Sequence, residues 1–413
     1  MEPITLLTNK RILLGVTGSI AAYKAVDLAS KLTQAGALVD VILTESAERF
    51  VTALTFQAVT GRPVYTDLWA TDSSGGLPTH IAHVGLGEGA DLLAVIPATA
   101  NTLAKLTHGL ADDLLSVTAL AARCPLLIAP AMDGGMYQHP ATYYNVQLLA
   151  ARGAYLVEPE EGRFASGLVG KGRLPETPAL MGHIRRALGK TGALAGQRLV
   201  ITAGGTREAI DPVRFITNRS SGRQGFALAQ AALDAGATVT LITTTKDVPA
   251  PIGAEVVLVS NAESMLKAVL KESAQADALI MAAAVADFRP AVTAAQKIKK
   301  TDDPSEVPTI QLTRTADILM EVKVQRAQTG FPKVAVGFAA ESEHLLTNAR
   351  AKLERKGLDL LVANDISAPD AGFEVDTNRV VILSQQAEPE AVALASKTLI
   401  AERIVARVAA LLA

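Results

Sequence analysis

The sequence repeats one local pattern at an offset of about 200 residues, and this repeat limits the folds that it can form. Residues 11–18 are a short apolar run that leads into a glycine turn, and residues 198–205 are another. Each is followed by a helical pattern, an Ala-Gly-Ala turn and a second apolar run. Such a succession is typical of a βαβ unit. The chain is therefore predicted to contain two halves built on the same plan.

A third apolar run begins with Ala-Asp in both halves, at Asp91 and at Asp277. Further apolar runs at residues 126–129, 334–338 and 358–363 are typical of parallel strands buried on both faces. We therefore predict an α/β protein with two doubly wound, Rossmann-like domains in tandem.

The predicted boundary lies near residue 190. Residues 189–196 are small and rich in glycine, and they immediately precede the second repeat. We therefore expect domains at 1–190 and 191–413. A tandem duplication would explain the similarity of the two halves, but the sequence pattern common to doubly wound α/β folds explains it equally well.

Composition excludes several classes of protein. The formal net charge of −2 over 413 residues gives no support to a nucleic-acid-binding coat or a polybasic membrane anchor. The single cysteine, Cys124, excludes an internal disulfide framework and a zinc site with several thiolates. No signal-peptide pattern and no stretch of 18 apolar residues is found. We expect a cytoplasmic protein that binds neither nucleic acid nor membrane.

The glycine turn of the first half (residues 15–24) is suited to one phosphate, as in a mononucleotide, because it places backbone N–H groups and the Ser19 hydroxyl at the start of a helix. The alternative is tight packing between strand and helix. Neither half has a G-x-G-x-x-G turn with a downstream acidic residue. This lack argues against a tandem nicotinamide-dependent oxidoreductase.

Two other polar segments follow apolar runs. Residues 97–102, Pro-Ala-Thr-Ala-Asn-Thr, could cap the next helix or could reach an isoalloxazine or ribityl group. Residues 211–222 form a longer polar insertion, with Arg214 and Arg219 inside it and Arg207 and Arg223 beside it. Such a segment could hold a triphosphate or a phosphorylated substrate through charge-assisted hydrogen bonds. Its alternative is a solvated loop.

These motifs, taken together, resemble those of one family over essentially the whole chain: the bifunctional coenzyme A biosynthesis flavoproteins. In that family a phosphopantothenoylcysteine decarboxylase precedes a phosphopantothenate–cysteine ligase. The decarboxylase-like motifs are residues 15–24, 97–101 and 130–132, and the ligase-like motifs are residues 211–222, 283–289, 297–300, 337–341 and 363–365.

The resemblance implies two consecutive reactions. Ligation of 4'-phosphopantothenate with cysteine would consume CTP and pass through an acyl-cytidylate. Decarboxylation of the resulting phosphopantothenoylcysteine to 4'-phosphopantetheine would then need FMN. The implied cofactors are FMN and Mg²⁺, without assigned metal ligands. The family also implies a homo-oligomer, with trimer-based N-terminal assemblies and dimeric ligase domains.

For the flavoprotein half, the resemblance implies two catalytic residues, His83 and Ser166. His80 is a competitor of His83, and the two could instead be an H-x-x-H metal pair, although no third ligand is near in sequence. The substrate-binding residues would be Met132 and Asp133. The FMN-binding residues would be Gly18, Ser19, Ile20, Thr44, Ala98, Thr99 and Asn101.

Two residues of this half depart from the family pattern. Many relatives have asparagine where this chain has Asp133, and the family's flap often carries a cysteine where this chain has Ser166. Cys124 precedes an apolar run and is expected to be a packed thiol. The departures support an alternative in which the protein is a ligase only and its flavin-binding half is a scaffold. A non-enzymatic binding module fits the ordered polar motifs least well.

For the ligase half, the resemblance implies Asn218 and Lys297 as catalytic residues. The lysine-rich run at 297–300 could instead be a solvated basic loop, and Phe338 could be ordinary core. Lys352 and Lys356, four residues apart on a helical pattern, are expected on one face. The nucleotide- and substrate-binding residues would be Met281, Ala282, Ala283, Asp287, Lys297, Ala316, Asp317, Ile318, Leu319, Phe338, Lys352 and Lys356.

Overall fold

The structure, a computed structural model, divides the chain into two compact units, Met1–Gly189 and Lys190–Ala413. None of the helices that it describes is long and apolar enough to span a membrane. The described residues are 2–69, 81–164, 166–299, 307–341, 345–365, 376–385 and 387–413.

The first unit alternates strands and helices along most of its length. Its strands are β1 Arg11–Val16, β2 Leu38–Leu43, β3 Val64–Tyr65, β4 Leu92–Ala98, β5 Leu126–Pro130, β6 Tyr155–Leu156, β7 Glu160–Arg163 and β8 Val169–Arg173. Its helices are α1 Ala22–Gln34, α2 Glu45–Glu48, α3 Ala53–Thr60, α4 Ala82–Gly89, α5 Ala100–His108, α6 Leu114–Ala121, α7 Gly134–Gln138, α8 Pro140–Ala151 and α9 Thr177–Gly189.

The second unit begins with the same alternation and ends in an antiparallel extension. Its strands are β9 Arg198–Ala203, β10 Arg207–Ala209, β11 Phe215–Thr217, β12 Thr238–Thr243, β13 Glu255–Leu258, β14 Ala278–Met281, β15 Phe288–Pro290, β16 Leu312–Arg314, β17 Val334–Glu341, β18 Leu360–Asp365, β19 Thr377–Ser384 and β20 Glu390–Ser396. Its helices are α10 Arg223–Asp234, α11 Ala262–Ser273, α12 Ile318–Thr329, α13 Leu345–Lys356 and α14 Lys397–Leu412.

The two main sheets confirm the predicted doubly wound architecture. The first has the order β3-β2-β1-β4-β5-β6 and is parallel throughout. The second has the order β13-β12-β9-β14-β17-β18-β19-β20. Its first six strands are parallel, and β19 and β20 are antiparallel additions. In both sheets the strand order reverses beside the first strand of the unit, where α/β proteins bind ligands.

Each sheet is buried on both faces by helices, with separate apolar clusters above and below it. Ala, Val, Leu and Ile dominate these clusters, in keeping with an aromatic content of only 4%. Three small hairpins lie outside the main sheets: β7–β8, β10–β11 and β15–β16. None of the three was expected from the sequence, because their strands are short and polar.

The repeated Ala-Asp dipeptide has a structural explanation. Asp91 accepts a hydrogen bond of 2.8 Å from the backbone N–H of Arg11, the first residue of β1, and Asp277 accepts one of 2.8 Å from the N–H of Arg198, the first residue of β9. Burial opposes the charge of each carboxylate. Hydrogen bonds from Lys10 to Asp91 and from Lys333 to Asp277 outweigh burial, so both pKa values lie below the usual range.

Candidate active sites

A buried threonine joins the two strands at the switch point of the first sheet. The Thr17 hydroxyl donates to the carbonyl of Pro97 at 2.7 Å and accepts from the N–H of Thr99 at 3.0 Å. The loop after β1 is thereby fixed to the loop after β4. Gly18 lies against α2, because a Cβ added to it would come within 2.4 Å of the Ser46 Cβ.

A cavity of about 560 Å³, here called the β1–β4 cavity, opens at this edge. Two of its threonines also cap helices: Thr44 accepts from the N–H of Ala47, and Thr99 accepts from the N–H of Thr102, both at 3.3 Å. The helix-cap interpretation of residues 97–102 is therefore correct, and the same segment also faces the cavity. Six predicted residues line it: Gly18, Ser19, Thr44, Thr99, Asn101 and Met132.

Further polar residues of this cavity were missed from the sequence. Lys105 on α5 binds Asp112 and Asp113, each at 2.7 Å. Burial opposes its charge, but the two carboxylates outweigh burial and raise the pKa of Lys105. Ser46 also lines the cavity. No motif marks these residues, although the first-turn position of Ser46 after the Thr44 cap could have suggested it.

A second cavity of about 470 Å³ adjoins the first, since Ser19, Ala131 and Met132 line both. The β7–β8 hairpin, here called the flap, forms part of its wall, so we call it the flap cavity. Predicted Ile20, Asp133 and Ser166 lie here and do not line the β1–β4 cavity. Sequence reasoning missed its basic residues, which are Lys24, Arg163 and Arg173.

Two predicted residues of this half line neither cavity. Ala98 is the fully buried last residue of β4, and His83 is a half-buried residue of α4. His80 lies outside the described residues. Cys124 packs beside an apolar cluster, and burial raises the pKa of its thiol.

In the second unit, threonine hydroxyls hold the segment that follows β14. Thr202 accepts from the N–H of Ala283 at 3.0 Å, and Thr206 accepts from the N–H of Ala286 at 2.9 Å. Ala284 adds a backbone hydrogen bond of 2.9 Å to the carbonyl of Gly204. The alanine-rich run is therefore a loop and not a continuation of the strand, and its small side chains leave its backbone accessible to a ligand.

A cavity of about 570 Å³, the β14 cavity, lies over this loop. It gathers predicted residues from five separate stretches of the chain. The predicted residues that line it are Asn218, Met281, Ala283, Asp287, Ala316, Asp317, Ile318, Leu319, Phe338, Lys352 and Lys356. Arg219, from the polar segment that could hold a triphosphate, also lines it, as does Thr315, which was not predicted.

Two lysines of α13, Lys352 and Lys356, line this cavity. Lys352 donates to the carbonyl of Phe338 at 3.4 Å, and Lys356 donates to Asp317 at 3.0 Å. Asp317 is also the N-cap of α12, where its side chain accepts from the N–H of Met320. The expectation that both lysines share one face agrees with these positions. Their combined charge suits a polyphosphate.

Lys297 is exposed and does not line the β14 cavity. Lys297 belongs to residues 297–299, here called the Lys297 strap. Ile298 attaches this strap to the turn of the β10–β11 hairpin: its N–H donates to Asp211 at 3.2 Å and its carbonyl accepts from Arg214 at 2.9 Å. The Arg214 guanidinium and several backbone N–H groups hold the pKa of Asp211 well below its usual range. The base of the Lys297 strap is therefore fixed by a buried, charged anchor.

A smaller cavity of about 130 Å³ lies at the start of α10 and shares Ala283, Ala284 and Phe338 with the β14 cavity. Predicted Ala282 lines this cavity and not the larger one. Phe338 thus lines two cavities while also packing against the core, and its contact with a nucleotide stays a prediction. Among the described residues no cluster of three His, Cys, Asp or Glu side chains could hold a metal ion.

Comparison with protein families divides the chain at the same place as the structure. Residues 2–189 match the Flavoprotein family, and residues 194–412 match the DNA/pantothenate metabolism flavoprotein C-terminal domain. The Coenzyme A biosynthesis bifunctional protein CoaBC of Mycobacterium bovis is 49% identical over 416 residues, which cover 98% of this chain and 97% of that protein. The chain belongs to this bifunctional family.

The protein of the same name from Bacillus subtilis is 46% identical over 409 residues, with 98% of both chains covered. A solved C-terminal domain of a CoaBC protein is 34% identical and covers 54% of this chain and 98% of that chain, with a TM-score of 0.45. The chain is thus a bifunctional coenzyme A biosynthesis enzyme, with a flavoprotein decarboxylase half and a ligase half.

Proposed function

We propose that residues 191–413 join 4'-phosphopantothenate to cysteine and that residues 1–190 decarboxylate the product to 4'-phosphopantetheine. The observation that carries this proposal is the presence of a large cavity at the switch point of each sheet. The first is lined by hydroxyl and amide groups and by the Lys105–Asp112–Asp113 cluster, and the second by Arg219, Lys352 and Lys356 together with two aspartates.

FMN is the proposed ligand of the β1–β4 cavity. Its volume is within the range usual for cofactor sites. The Gly18–Ser19 turn opens toward a phosphate at the start of α1, and Thr99 and Asn101 offer polar groups to the ribityl chain and the ring. FMN, when bound, would accept a hydride from the substrate and return it. Met132 and Asp133 would face the substrate in the adjoining flap cavity.

His83 is the proposed base that removes the substrate's thiol proton. Because it lines neither cavity of its own unit, we propose that the active site is completed in a homo-oligomer, in which His83 serves the flap cavity of another copy. The assembly would have trimer-forming flavoprotein units and dimer-forming ligase units, and the protein would act in the cytoplasm.

CTP and Mg²⁺ are the proposed ligands of the β14 cavity, with no side chain assigned to the metal ion. Lys352 and Lys356 would bind phosphates, and Asp287 and the 316–319 segment would bind the nucleoside. The carboxylate of 4'-phosphopantothenate would attack the α-phosphate and displace pyrophosphate. Lys297 would stabilise the developing charge, and Asn218 would hold the acyl-cytidylate until the cysteine amine attacks.

The test is to incubate the full chain with 4'-phosphopantothenate, cysteine, CTP and Mg²⁺, and to follow pyrophosphate and CO₂ separately. Equal amounts of both are expected. Pyrophosphate without CO₂ would instead support a ligase with a flavin-binding scaffold. A purified protein without flavin absorbance would contradict the FMN assignment, and ATP replacing CTP would contradict the nucleotide assignment.

A further inference from the structure

The β10–β11 hairpin connects two segments that the proposed ligation assigns to catalysis. Asn218 directly follows β11 and lines the β14 cavity. The Lys297 strap comes much later in the chain, yet its Ile298 contacts Asp211 in the turn of the same hairpin. The hairpin therefore sets the position of the strap relative to Asn218.

The hairpin is itself fixed to the edge of the main sheet. The Thr217 hydroxyl donates to the carbonyl of Thr206 at 2.8 Å, and the buried Thr206 hydroxyl accepts from the N–H of Ala286 at 2.9 Å. A Cβ on Gly205 would lie only 2.7 Å from the carbonyl oxygen of Asn218, so the loop after β9 packs directly on Asn218. The hairpin thus has a fixed position relative to the β14 cavity.

The segment that carries Lys297 is attached to this hairpin at two places. The N–H of Ala294 donates to the carbonyl of Ile210 at 2.9 Å, and the N–H of Ile298 donates to Asp211 at 3.2 Å. Lys297 lies between the two attachments, is exposed, and forms no hydrogen bond or ion pair within the described part of the chain. Its backbone is therefore held, while its ammonium group is free to turn toward a ligand.

The two carboxylate oxygens of Asp211 have separate tasks. Oδ1 accepts from the backbone N–H groups of Val213 and Arg214, both at 2.8 Å, and these bonds form the turn of the hairpin. Oδ2 accepts from Nε of Arg214 at 3.0 Å and from the N–H of Ile298. The Asp211 side chain is fully buried, so water does not compete for the bond to the strap. One oxygen builds the turn, and the other holds the strap.

We propose that Asp211 is a positioning residue of the ligase half, which holds Lys297 where its ammonium group reaches the phosphates of a nucleotide in the β14 cavity. This inference rests on the proposed ligase function. Asp211 acts through the backbone of Ile298 and does not touch the substrate. Without this bond the strap takes many positions, and Lys297 stabilises the departing pyrophosphate in only a fraction of them.

Asp211→Asn separates the two tasks of this side chain. Asparagine also forms such turns, because its amide oxygen accepts the same backbone N–H groups. Its NH₂ group then faces the N–H of Ile298, a donor against a donor, and the strap is released. The first step is measured as pyrophosphate released from CTP and 4'-phosphopantothenate without cysteine. Its rate constant should fall about 10-fold, while the KM for CTP stays within about twofold of the wild type.

A double-mutant cycle shows whether Asp211 acts through Lys297. In the Lys297→Gln background, Asp211→Asn should lower the rate by less than twofold, because the charge that it positions is already absent. The proposal is overturned if Asp211→Asn alone releases pyrophosphate normally, or if the two losses multiply in the double variant. Normal release by Lys297→Gln would instead reject the catalytic role of Lys297, and no release by the wild type would reject the ligase function itself.

Ile298→Pro gives a second variant that leaves Asp211 unchanged. It removes the N–H that donates to Asp211, so the rate of the first step should fall to a similar extent as in Asp211→Asn. A normal rate in this variant would overturn the proposal. Glu263→Gln is the matched control, since it removes a carboxylate of the second unit that is 62% exposed and paired with Lys267 on α11. It should release pyrophosphate as the wild type does.

Hydrogen exchange gives a readout that needs neither CTP nor turnover. A peptide over residues 293–299 should exchange several-fold faster in Asp211→Asn than in the wild type, since the Ile298 amide has lost its acceptor. Lys297→Gln and Glu263→Gln should exchange this peptide as the wild type does. Unchanged exchange in Asp211→Asn would overturn the hold on the strap. Faster exchange over β9 as well would mean that Asp211 supports the whole unit, and would overturn the positioning role.

Discussion

The two units use the same sheet edge in different ways. Thr17 in the first unit and Thr202 in the second both fix a loop at the switch point through a hydroxyl hydrogen bond. The β1–β4 cavity has one lysine, paired with two aspartates, whereas the β14 cavity has two lysines, of which Lys356 is paired with Asp317. The shared sheet thus places a cavity at the same edge in both units, and the segments added around it determine which charged groups line that cavity.

The largest expected effect follows from the Lys297 strap of the second unit. Lys297→Gln should lower pyrophosphate release by about 100-fold, because it removes the charge that we propose stabilises the transition state. Decarboxylation of added phosphopantothenoylcysteine should not change. The measurement is a pair of steady-state assays on the same preparation.

Lys299→Gln, in the same exposed strap, is the control and should ligate within about twofold of the wild type. Normal ligation by Lys297→Gln would show that the lysine run is a solvated loop. A parallel loss of CO₂ release would show that the two units do not work independently.

The second largest effect is expected on the KM for CTP when a lysine of the β14 cavity is replaced. Lys356→Met removes a proposed phosphate partner and the ion pair between Lys356 and Asp317. Charge-assisted hydrogen bonds contribute about 1.5–3 kcal/mol, so KM for CTP should rise at least 10-fold. Lys271→Met, an 82% exposed side chain on α11 that does not line the cavity, is the control. An unchanged KM for CTP would show that Lys356 of α13 does not contribute to nucleotide binding.

The sequence predicted the parts of this comparison that depend on local pattern. The strands around the switch points were predicted from their apolar runs, and Lys352 and Lys356 from their helical spacing. Contacts across long stretches left no such signal. The hydrogen bond between Ser166 and Asp133 and the attachment of the Lys297 strap to Asp211 depend on packing between short polar segments, whose composition is the same as that of a solvated loop.

A smaller effect on ligand binding is expected when the threonine at either switch point is replaced, and it distinguishes the two sites. Thr17→Val should weaken FMN retention about fivefold, because the N–H of Thr99 loses its acceptor and the cavity wall loosens. Thr202→Val should weaken CTP binding to a similar extent. Each variant is the control for the other: flavin absorbance after dialysis reports the first site, and the KM for CTP reports the second. A loss of both ligands in one variant would contradict separate sites.

The smallest effect is expected at Asp91 and Asp277, the two paired carboxylates. Each lies at the edge of its sheet opposite to the cavity. Asp277→Asn should lower the free energy of unfolding of the second unit by about 0.5–1 kcal/mol at pH 7, because asparagine still accepts a hydrogen bond and only the contribution of the charge is lost. Asp91→Asn should lower that of the first unit by less, since its side chain is 35% exposed and that of Asp277 is 15% exposed. Urea unfolding followed by hydrogen exchange measures each unit separately.

The dependence of this effect on pH follows from the sign of the pKa shifts. Both folded pKa values lie below the unfolded value of about 3.9, so each carboxylate adds stability above that pH and loses it as the pH falls through the folded pKa. The difference between wild type and each asparagine variant should therefore shrink between pH 5 and pH 2. A difference that stays constant over this range would mean that the carboxylates act through packing, and that the Ala-Asp repeat is a feature of shape and not of charge.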